Sequence, residues 1–580
     1  MRAGVLVSLD SGDRKVAIGA APTAPAVNGG GNDYISERDS EASVKHYGIY
    51  LAYPPAVDIR AQGLGRYLAA FLKAAHRCDN VRFVVLCPSW SREAILKLFE
   101  DERVDIEETY IVSPDAQYVA LRLYDKLKSL RDRTYRMTFL GRLLASAKSM
   151  GAEHIRWIET TLVQTKRIWV FSGVAIYWVL LAALAAAPLL VYVLIKEFTL
   201  FLKVPSRQIQ QRPPISALAD RLRGVWQRPE GDSFVYRLYR RMEQSEVDEL
   251  VRIANSLSHV SAWYCPTAFW PSFNRIDAPR LLCVPDVVIS DFPVAFAEIG
   301  GERTMETFED ICETIDGADR IVTYSDHVKW STLVTQFHVS DKTVRTIKHA
   351  PNGLAHCIDV KGFPDSRAAS KNYCESLFGA ALRRSVFAEP AGFENTGARF
   401  LFYASQFRPN KNVLTLLRSY EHLLRQRFVQ HKLVLTGDPW SLPEIAQFIL
   451  ERRLQHDVLC LKGLNVSELA ACYRLADLSI CPSLSEGGCP FTFTEALSVG
   501  TPVLMSRIPV ALEVLDDAPL RETMFFDPYD WRDMVRVIEW GLLNREELLR
   551  LQRPVFKRLS QRTWNDVVAE HIDELDALCS

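Results

Sequence analysis

The chain has 580 residues, of which 48% are hydrophobic and 24% charged, so its length and composition predict at least two globular domains. Its formal net charge of −1 argues against a general nucleic-acid-binding protein. The 12 cysteines include no Cys-x-x-Cys pair, which argues against zinc and iron–sulfur sites and favours a reducing compartment. The N-terminus lacks a basic stretch followed by an apolar run, so no signal peptide is expected.

The N-terminal region predicts a tail followed by an α/β unit. Residues 1–45 contain Ala-Pro-Thr-Ala-Pro and three consecutive glycines, so we predict a mostly disordered tail. Apolar runs at 46–53 and 81–87 predict strands. Between them, Gly63 and Gly65 precede a helical pattern and would allow a tight turn from strand into helix.

The next region is basic and then strongly apolar. Basic residues accumulate over 121–167 at helical spacing, which indicates either a solvated helix face or contact with anionic lipid headgroups. Residues 168–195 then form 28 positions without a charge, whereas about 18 suffice for a membrane helix. Two crossings need about 40 residues, and one crossing would separate the strands before the segment from those after it. We therefore predict a re-entrant or monotopic insert with both ends cytoplasmic; the alternative is a buried helix pair in a soluble protein.

The α/β rhythm resumes after residue 230. Apolar runs at 260–265, 281–289 and 320–325 predict further strands, and the second contains Pro285-Asp286. Asn352-Gly353 is a turn signal that we expect to close the N-terminal domain.

The C-terminal half repeats the pattern. The predicted strands share short apolar runs: 400–404, 431–437, 458–461, 478–481 and 502–506. Ligands bind at the carboxyl ends of strands in open parallel sheets. One of those ends carries the candidate Gly437, which closes the run at 431–437.

The most informative stretch runs from residue 483 to 503. It follows the predicted strand at 478–481 and predicts a loop with Gly487 and Gly488, then a helix that contains Glu495 and ends near Gly500. Free N–H groups at such a helix start bind phosphate well, and Glu486 and Glu495 bracket the loop.

The sequence Glu495-Ala-Leu-Ser-Val-Gly-Thr-Pro-Val resembles the donor-binding signature of the family 4 retaining glycosyltransferases, within glycosyl transferases group 1. Lys411-Asn412 matches the basic loop of that family. Three departures stand out. Eight residues rather than seven separate the two glutamates, Gln406 occupies the usual arginine position, and Pro285 replaces a histidine.

The resemblance implies an α/β GT-B fold, with two Rossmann-like domains facing a cleft and an apolar, membrane-associated helical insert in the N-terminal domain. The expected boundaries are an N-terminal acceptor domain at 46–390, with its insert at about 100–230, a nucleotide-sugar-binding domain at 391–562, and a crossover helix at 563–580.

The resemblance also implies roles for individual residues. Lys411 and Arg408 would stabilise the departing diphosphate, and Glu486 would hold the donor sugar. The remaining donor-side candidates are Gly487, Gly488, Glu495 (on the ribose), Gly437 and Lys462. The acceptor-side candidates are Gly63, Gly65 and Asp286. No metal and no cofactor are expected, because the nucleotide-sugar is a substrate.

The predicted function is retaining transfer of a sugar, such as mannose, to a glycan or polyprenyl-linked acceptor in polysaccharide or glycolipid assembly. The predicted location is the cytoplasmic face of the bacterial inner membrane, with membrane lipids as partners and no nucleic acid. Two alternatives stay open, a catalytically inactive GT-B membrane scaffold and a soluble sugar-polymer synthase.

Overall fold

The structure is a computed structural model that describes residues 44–55, 57, 59, 63–105, 109–114, 161, 165, 167–178, 234–386 and 399–580. Residues 1–43 of the predicted tail, most of the insert at about 100–230 and residues 179–195 of the apolar segment lie outside these ranges. Lys45, the last residue of the predicted tail, is instead the first residue of a strand. The described residues belong to one compact unit, Val44–Ser580.

The N-terminal sheet has seven parallel strands. They are β1 Lys45–Tyr50, β2 Val81–Leu86, β3 Tyr110–Val112, β4 Ala262–Cys265, β5 Arg280–Cys283, β6 Arg320–Thr323 and β7 Val344–Thr346. Their order is β3-β2-β1-β4-β5-β6-β7, so the direction of winding reverses between β1 and β4. A crevice for ligands forms at such a switch point, outside the carboxyl ends of the strands.

The helices of this domain flank the sheet and extend from it. They are α1 Gly63–Ala75, α2 Arg92–Glu102, α3 Phe234–Ser256, α4 Val288–Asp291, α5 Pro293–Gly300 and α6 Glu302–Asp316, followed by a π-helix at Val328–Gln336. Residues 168–178 are also helical.

The central strands are buried on both faces, which explains their apolar runs. Ile49 pairs with Val85 on one side and with Tyr264 on the other. Gly48 has room for no side chain, because an added Cβ would overlap the ring of Trp263.

The C-terminal sheet has six parallel strands. They are β8 Arg399–Tyr403, β9 His431–Leu435, β10 Val458–Cys460, β11 Leu478–Cys481, β12 Val503–Ser506 and β13 Phe525–Phe526. Their order is β10-β9-β8-β11-β12-β13, with the switch point between β8 and β11.

The helices of the C-terminal half follow in chain order. They are α7 Ser366–Leu382, α8 Val413–Gln426, α9 Pro443–Glu451, α10 Val466–Leu475, α11 Phe491–Ser498, α12 Pro509–Val514, α13 Ala518–Thr523, α14 Trp531–Leu543, α15 Arg545–Leu559 and α16 Trp564–Cys579. Gly500 has φ +84° just beyond α11, where a left-handed residue ends a helix.

The last helix, α16, packs on the N-terminal sheet rather than on the C-terminal one. His571 is fully buried there, edge-on to the rings of Phe71 and Tyr264. Asp576 pairs with Lys45 at 2.6 Å, at the first strand of the chain. Burial lowers the pKa of His571 to about 4, so the ring is neutral at neutral pH.

The prediction of an α/β protein with two parallel sheets is confirmed. One strand prediction was wrong. β5 ends at Cys283 instead of continuing to residue 289, and α4 begins at Val288. Pro285 cannot donate a hydrogen bond to a central ladder, which explains the break.

Of the predicted apolar membrane segment, residues 168–178 are described and form a helix. None of the described helices combines the length and the apolar character that crossing a bilayer requires. The predicted domain boundaries stay predictions.

Candidate active site

The carboxyl ends of both sheets face a shared cleft of about 1280 Å³. The N-terminal side contributes Gly63 and Arg66 from α1, Asp286 after β5 and Tyr324 after β6. The C-terminal side contributes two loops. One is the basic loop of residues 404–412, and the other is the glycine loop of residues 482–490.

Lys411 and Glu486 meet in this cleft, with 2.5 Å between Lys411 Nζ and Glu486 Oε1. Both side chains keep about a fifth of their surface exposed, 21% and 19%. The two loops are joined through their backbones, since Leu484 N–H donates to the Asn410 carbonyl at 2.8 Å. Asn412, with φ +54°, then turns the chain into α8. The ammonium group of Lys411 and the carboxylate of Glu486 therefore lie side by side on two loops that a backbone hydrogen bond connects.

Arg408 also lines the cleft, and it donates to Gln406 Oε1 at 3.0 Å. Gln406 occupies the position of the arginine in the resembling family. Arg408 therefore contacts Gln406, the residue that stands where the family has its arginine.

The glycine loop packs directly on the N-terminal domain. An added Cβ on Gly487 would overlap the carbonyl of Pro285, and one on Gly488 would lie 2.9 Å from His349 Nε2. Ser485 Oγ donates to Asp291 Oδ2 at 3.0 Å across the same gap. These contacts require glycine at both positions and hold the two domains together at the loop.

Asp286 lines the cleft opposite Glu486. Burial, and secondarily the negative charge of Glu486, raise the pKa of Asp286 to about 6, although Lys411 and Arg408 oppose the shift. Near the glycine loop, the carboxyl groups of Asp286 and Glu486 therefore share the cleft with the cations of Lys411 and Arg408.

Glu495 is placed elsewhere. Its side chain is fully buried and forms an ion pair with Arg66 of α1 in the other domain. It lines a smaller crevice of about 450 Å³, whereas Arg66 lines both the crevice and the cleft. Burial raises the pKa of Glu495 more than Arg66 lowers it. Glu486 and Glu495 thus line different cavities, although they bracket the same loop in the sequence.

The other candidates fall into two groups. Gly63 lines the cleft and faces open space, while Gly65 is buried against the Ile59 carbonyl, where it serves the turn. Gly437 and Lys462 lie outside the residues that line the cleft. A Cβ on Gly437 would overlap Phe407, and Lys462 pairs with Asp438 at 2.6 Å.

Sequence reasoning missed Arg66, Tyr324 and His349. Burial lowers the pKa of His349 to about 4, so a neutral ring packs against the glycine loop. Tyr324 stands edge-on to it, with 5.5 Å between the ring centroids. Arg66 carried a usable signal, because it directly follows Gly63-Leu-Gly65 at a helix start.

Among the described residues, no group of three His, Cys, Asp or Glu side chains is arranged to hold a metal ion.

Comparisons with known proteins show which families and folds this chain resembles. Residues 388–557 match the family model "Glycosyl transferases group 1". Over 184 residues the chain is 30% identical to the lipopolysaccharide 1,2-N-acetylglucosaminetransferase of Salmonella typhimurium, a match that covers 30% of the chain and 48% of that enzyme. The chain therefore spans about half the length of this curated relative.

Two solved structures show the fold. The Anabaena protein HepE, in complex with UDP and glucose, superposes with a TM-score of 0.50 at 12% identity, over 92% of this chain and 100% of HepE. The sucrose-phosphate synthase of Thermosynechococcus elongatus gives a TM-score of 0.50 at 12% identity, over 92% of this chain and 99% of the synthase. Residues 388–557 are thus similar to the glycosyl transferases group 1 family, and the fold of the described residues resembles that of these two solved structures.

Proposed function

We propose that the protein is a glycosyltransferase that uses a nucleotide-sugar donor bound in the cleft. The proposal rests on the Lys411–Glu486 pair, in which Glu486 belongs to the glycine loop where the C-terminal half of the chain packs on the N-terminal half. Lys411 and Arg408 supply positive charge where a nucleoside diphosphate would depart, and charge stabilisation of this kind is a large term in group transfer.

The proposed reaction retains the configuration of the sugar, as in family 4. The bond between the anomeric carbon and the donor phosphate oxygen breaks, and the acceptor oxygen bonds to the same face of that carbon. The acceptor proton passes to the departing phosphate oxygen. Glu486 orients the sugar and Lys411 stabilises the diphosphate. The step balances without a metal or a cofactor.

The names of the relatives suggest the donors to try first. The Anabaena structure holds UDP and glucose, and the Salmonella enzyme is named as an N-acetylglucosaminetransferase. UDP-glucose and UDP-N-acetylglucosamine are therefore the first donors, and GDP-mannose follows because the family resemblance includes mannose transfer.

We further propose a polyprenyl-linked or glycolipid acceptor and a location at the cytoplasmic face of the bacterial inner membrane. The charge-free run of residues 168–195 and its basic flanks support this location. The lipopolysaccharide named in the Salmonella enzyme is also a glycolipid.

A second candidate is a donor-binding scaffold without turnover. It is favoured by the placement of Glu495 in the crevice, away from Glu486, together with Gln406 and Pro285 at their altered positions.

The test is release of nucleoside diphosphate by detergent-solubilised protein, with each donor, in the presence and absence of a bacterial lipid extract. We expect extract-dependent release with one donor, loss of release in Lys411→Ala, and a radiolabelled sugar in the lipid phase. Donor binding without release under every condition would establish the scaffold and overturn the transferase.

A further inference from the structure

The helix at residues 168–178 has two apolar sides. Phe171, with Val174, Ala175 and Trp178 beside it, packs against Leu238 of α3. On the other side Trp169 is 85% exposed and Ile176 60% exposed. These two residues are seven positions apart and so lie on one face of the helix. A solvated helix would present polar residues there.

A second exposed apolar element lies in the same domain. Helix α5 has no buried residue and contains one charged side chain, Glu298. Val294 is 71% exposed and Ile299 is 51% exposed, and Met305, early in α6, is 60% exposed.

Helix α3 connects the two elements. Leu238 lies under helix 168–178, and two residues later Arg240 pairs with Glu306, the neighbour of Met305, at 3.2 Å. Leu238 and Arg240 are two positions apart and so point to opposite sides of α3, which means that the two apolar elements lie on either side of the same stretch of this helix. We call them together the apolar face, made of Ile168, Trp169, Val170, Ile176, Tyr177, Val294, Ile299 and Met305.

The apolar face borders the cleft. Arg240 and Arg241 of α3 line the cleft, and so does Thr307, which is two residues from Met305. A surface that covered the apolar face would therefore approach the part of the cleft that Arg240, Arg241 and Thr307 line.

We propose that the apolar face docks on a lipid bilayer and presents the part of the cleft lined by Arg240, Arg241 and Thr307 to an acceptor anchored in the bilayer. The role in acceptor delivery rests on the proposed transferase function; lipid docking itself does not.

The sequence around helix 168–178 favours a lipid bilayer rather than a protein as the partner of the apolar face. The charge-free run that begins with this helix continues to Ile195, with Arg167 before it and Lys196 and Lys203 after it. Trp169 and Tyr177 are residue types that favour the bilayer interface. Cations at both ends of an apolar run favour contact with anionic headgroups.

The test is co-sedimentation of the full chain with vesicles of phosphatidylcholine and phosphatidylglycerol. Trp169→Glu/Ile176→Glu changes the first element, and Val294→Glu/Ile299→Glu changes the second. Leu543→Glu is the matched control, because Leu543 of α14 is 85% exposed like Trp169 but belongs to the C-terminal domain. Circular dichroism and thermal unfolding verify that each variant folds.

We expect the wild type and Leu543→Glu to sediment with vesicles, and each double variant to lose at least tenfold in partitioning. A wild type that stays in solution, or double variants that bind like the wild type, would overturn the proposal. A concentration-dependent dimer without vesicle binding would assign the face to a second copy and also overturn it. Donor binding is measured by calorimetry in a separate experiment without vesicles. A protein that binds vesicles but no donor would overturn only the proposed transferase function.

Discussion

The cleft and the crevice use the same kind of ion pair in two different ways. In the cleft, Glu486 pairs with Lys411 of its own domain, and both remain partly exposed. In the crevice, Glu495 is fully buried and pairs with Arg66 of the other domain. The first pair lies within the C-terminal half of the chain, while the second joins the two halves. One strand-loop-helix unit therefore contributes Glu486 to the cleft and Glu495 to a link between the two halves of the chain.

The energetic difference follows from burial. A partly exposed pair contributes little to stability, about 0–1 kcal/mol. Removal of one partner from a buried pair leaves an uncompensated charge and typically costs about 3–5 kcal/mol. Substitutions at the crevice should therefore affect folding and domain closure, whereas substitutions at the cleft should affect turnover.

Arg66→Met should have the largest effect on stability, a loss of about 3–5 kcal/mol, because it leaves the Glu495 carboxylate buried without its cation. Glu495→Gln in the same chain removes the stranded charge and should restore most of the loss. Chemical denaturation of the two single variants and the double variant measures the coupling. Additive losses would show that the pair does not link the domains energetically.

Lys411→Ala should lower kcat by about 10²–10³-fold with little change in stability, because it removes charge stabilisation of the departing diphosphate. The matched control is Lys371→Ala, which breaks a surface pair with Glu375 outside the cleft. Steady-state kinetics with the active donor checks both. Turnover near the wild-type level in Lys411→Ala would remove this residue from the mechanism.

Gly487→Ala should weaken donor binding about tenfold, because its new Cβ overlaps the Pro285 carbonyl and pushes the domains apart. Gly63→Ala provides the control, since that position also lines the cleft but meets nothing within 4 Å. Titration calorimetry compares them. Equal affinities in the two variants would show that the loop contact with Pro285 is dispensable.

Asp286→Asn should have the smallest effect, on pH dependence. The pKa of Asp286 is raised from its ordinary 3.8 to about 6 in the folded state, so the native state binds this proton more tightly than the unfolded state does. The resulting stabilisation of the fold is fully present below about pH 4 and is lost as the pH rises through 6. Protonation removes a negative charge beside Lys411 and Arg408, so affinity for an anionic donor should rise roughly threefold to tenfold on going from pH 8 to pH 5.

In Asp286→Asn that dependence should disappear, as measured by calorimetry at both pH values. A wild-type pH profile in the variant would assign the titration to another group.

The sequence predicted the sheets well because buried parallel strands carry nearly continuous apolar runs. The strand predicted at 281–289 was wrong because its apolar run covers the end of β5 and the start of α4. Apolar residues in β5 and in α4 look alike, and only the Pro285 position indicates the break.

The meeting of Lys411 with Glu486 could be predicted from the motif, because both follow neighbouring strands, β8 and β11, on one sheet edge. The pairing of Glu495 could not. Its partner Arg66 lies 429 residues away in sequence, and the direction of its side chain depends on where α11 begins. The one extra residue in the glycine loop gave no indication of that direction.

The most direct test is calorimetric titration of UDP-, GDP- and ADP-sugars into the wild type, Lys411→Ala and Lys371→Ala. A donor site at the Lys411–Glu486 pair predicts that one nucleotide class binds the wild type and Lys371→Ala equally, and binds Lys411→Ala at least tenfold more weakly. Binding of no nucleotide-sugar to the wild type, or equal binding to all three proteins, would contradict a donor site in the cleft.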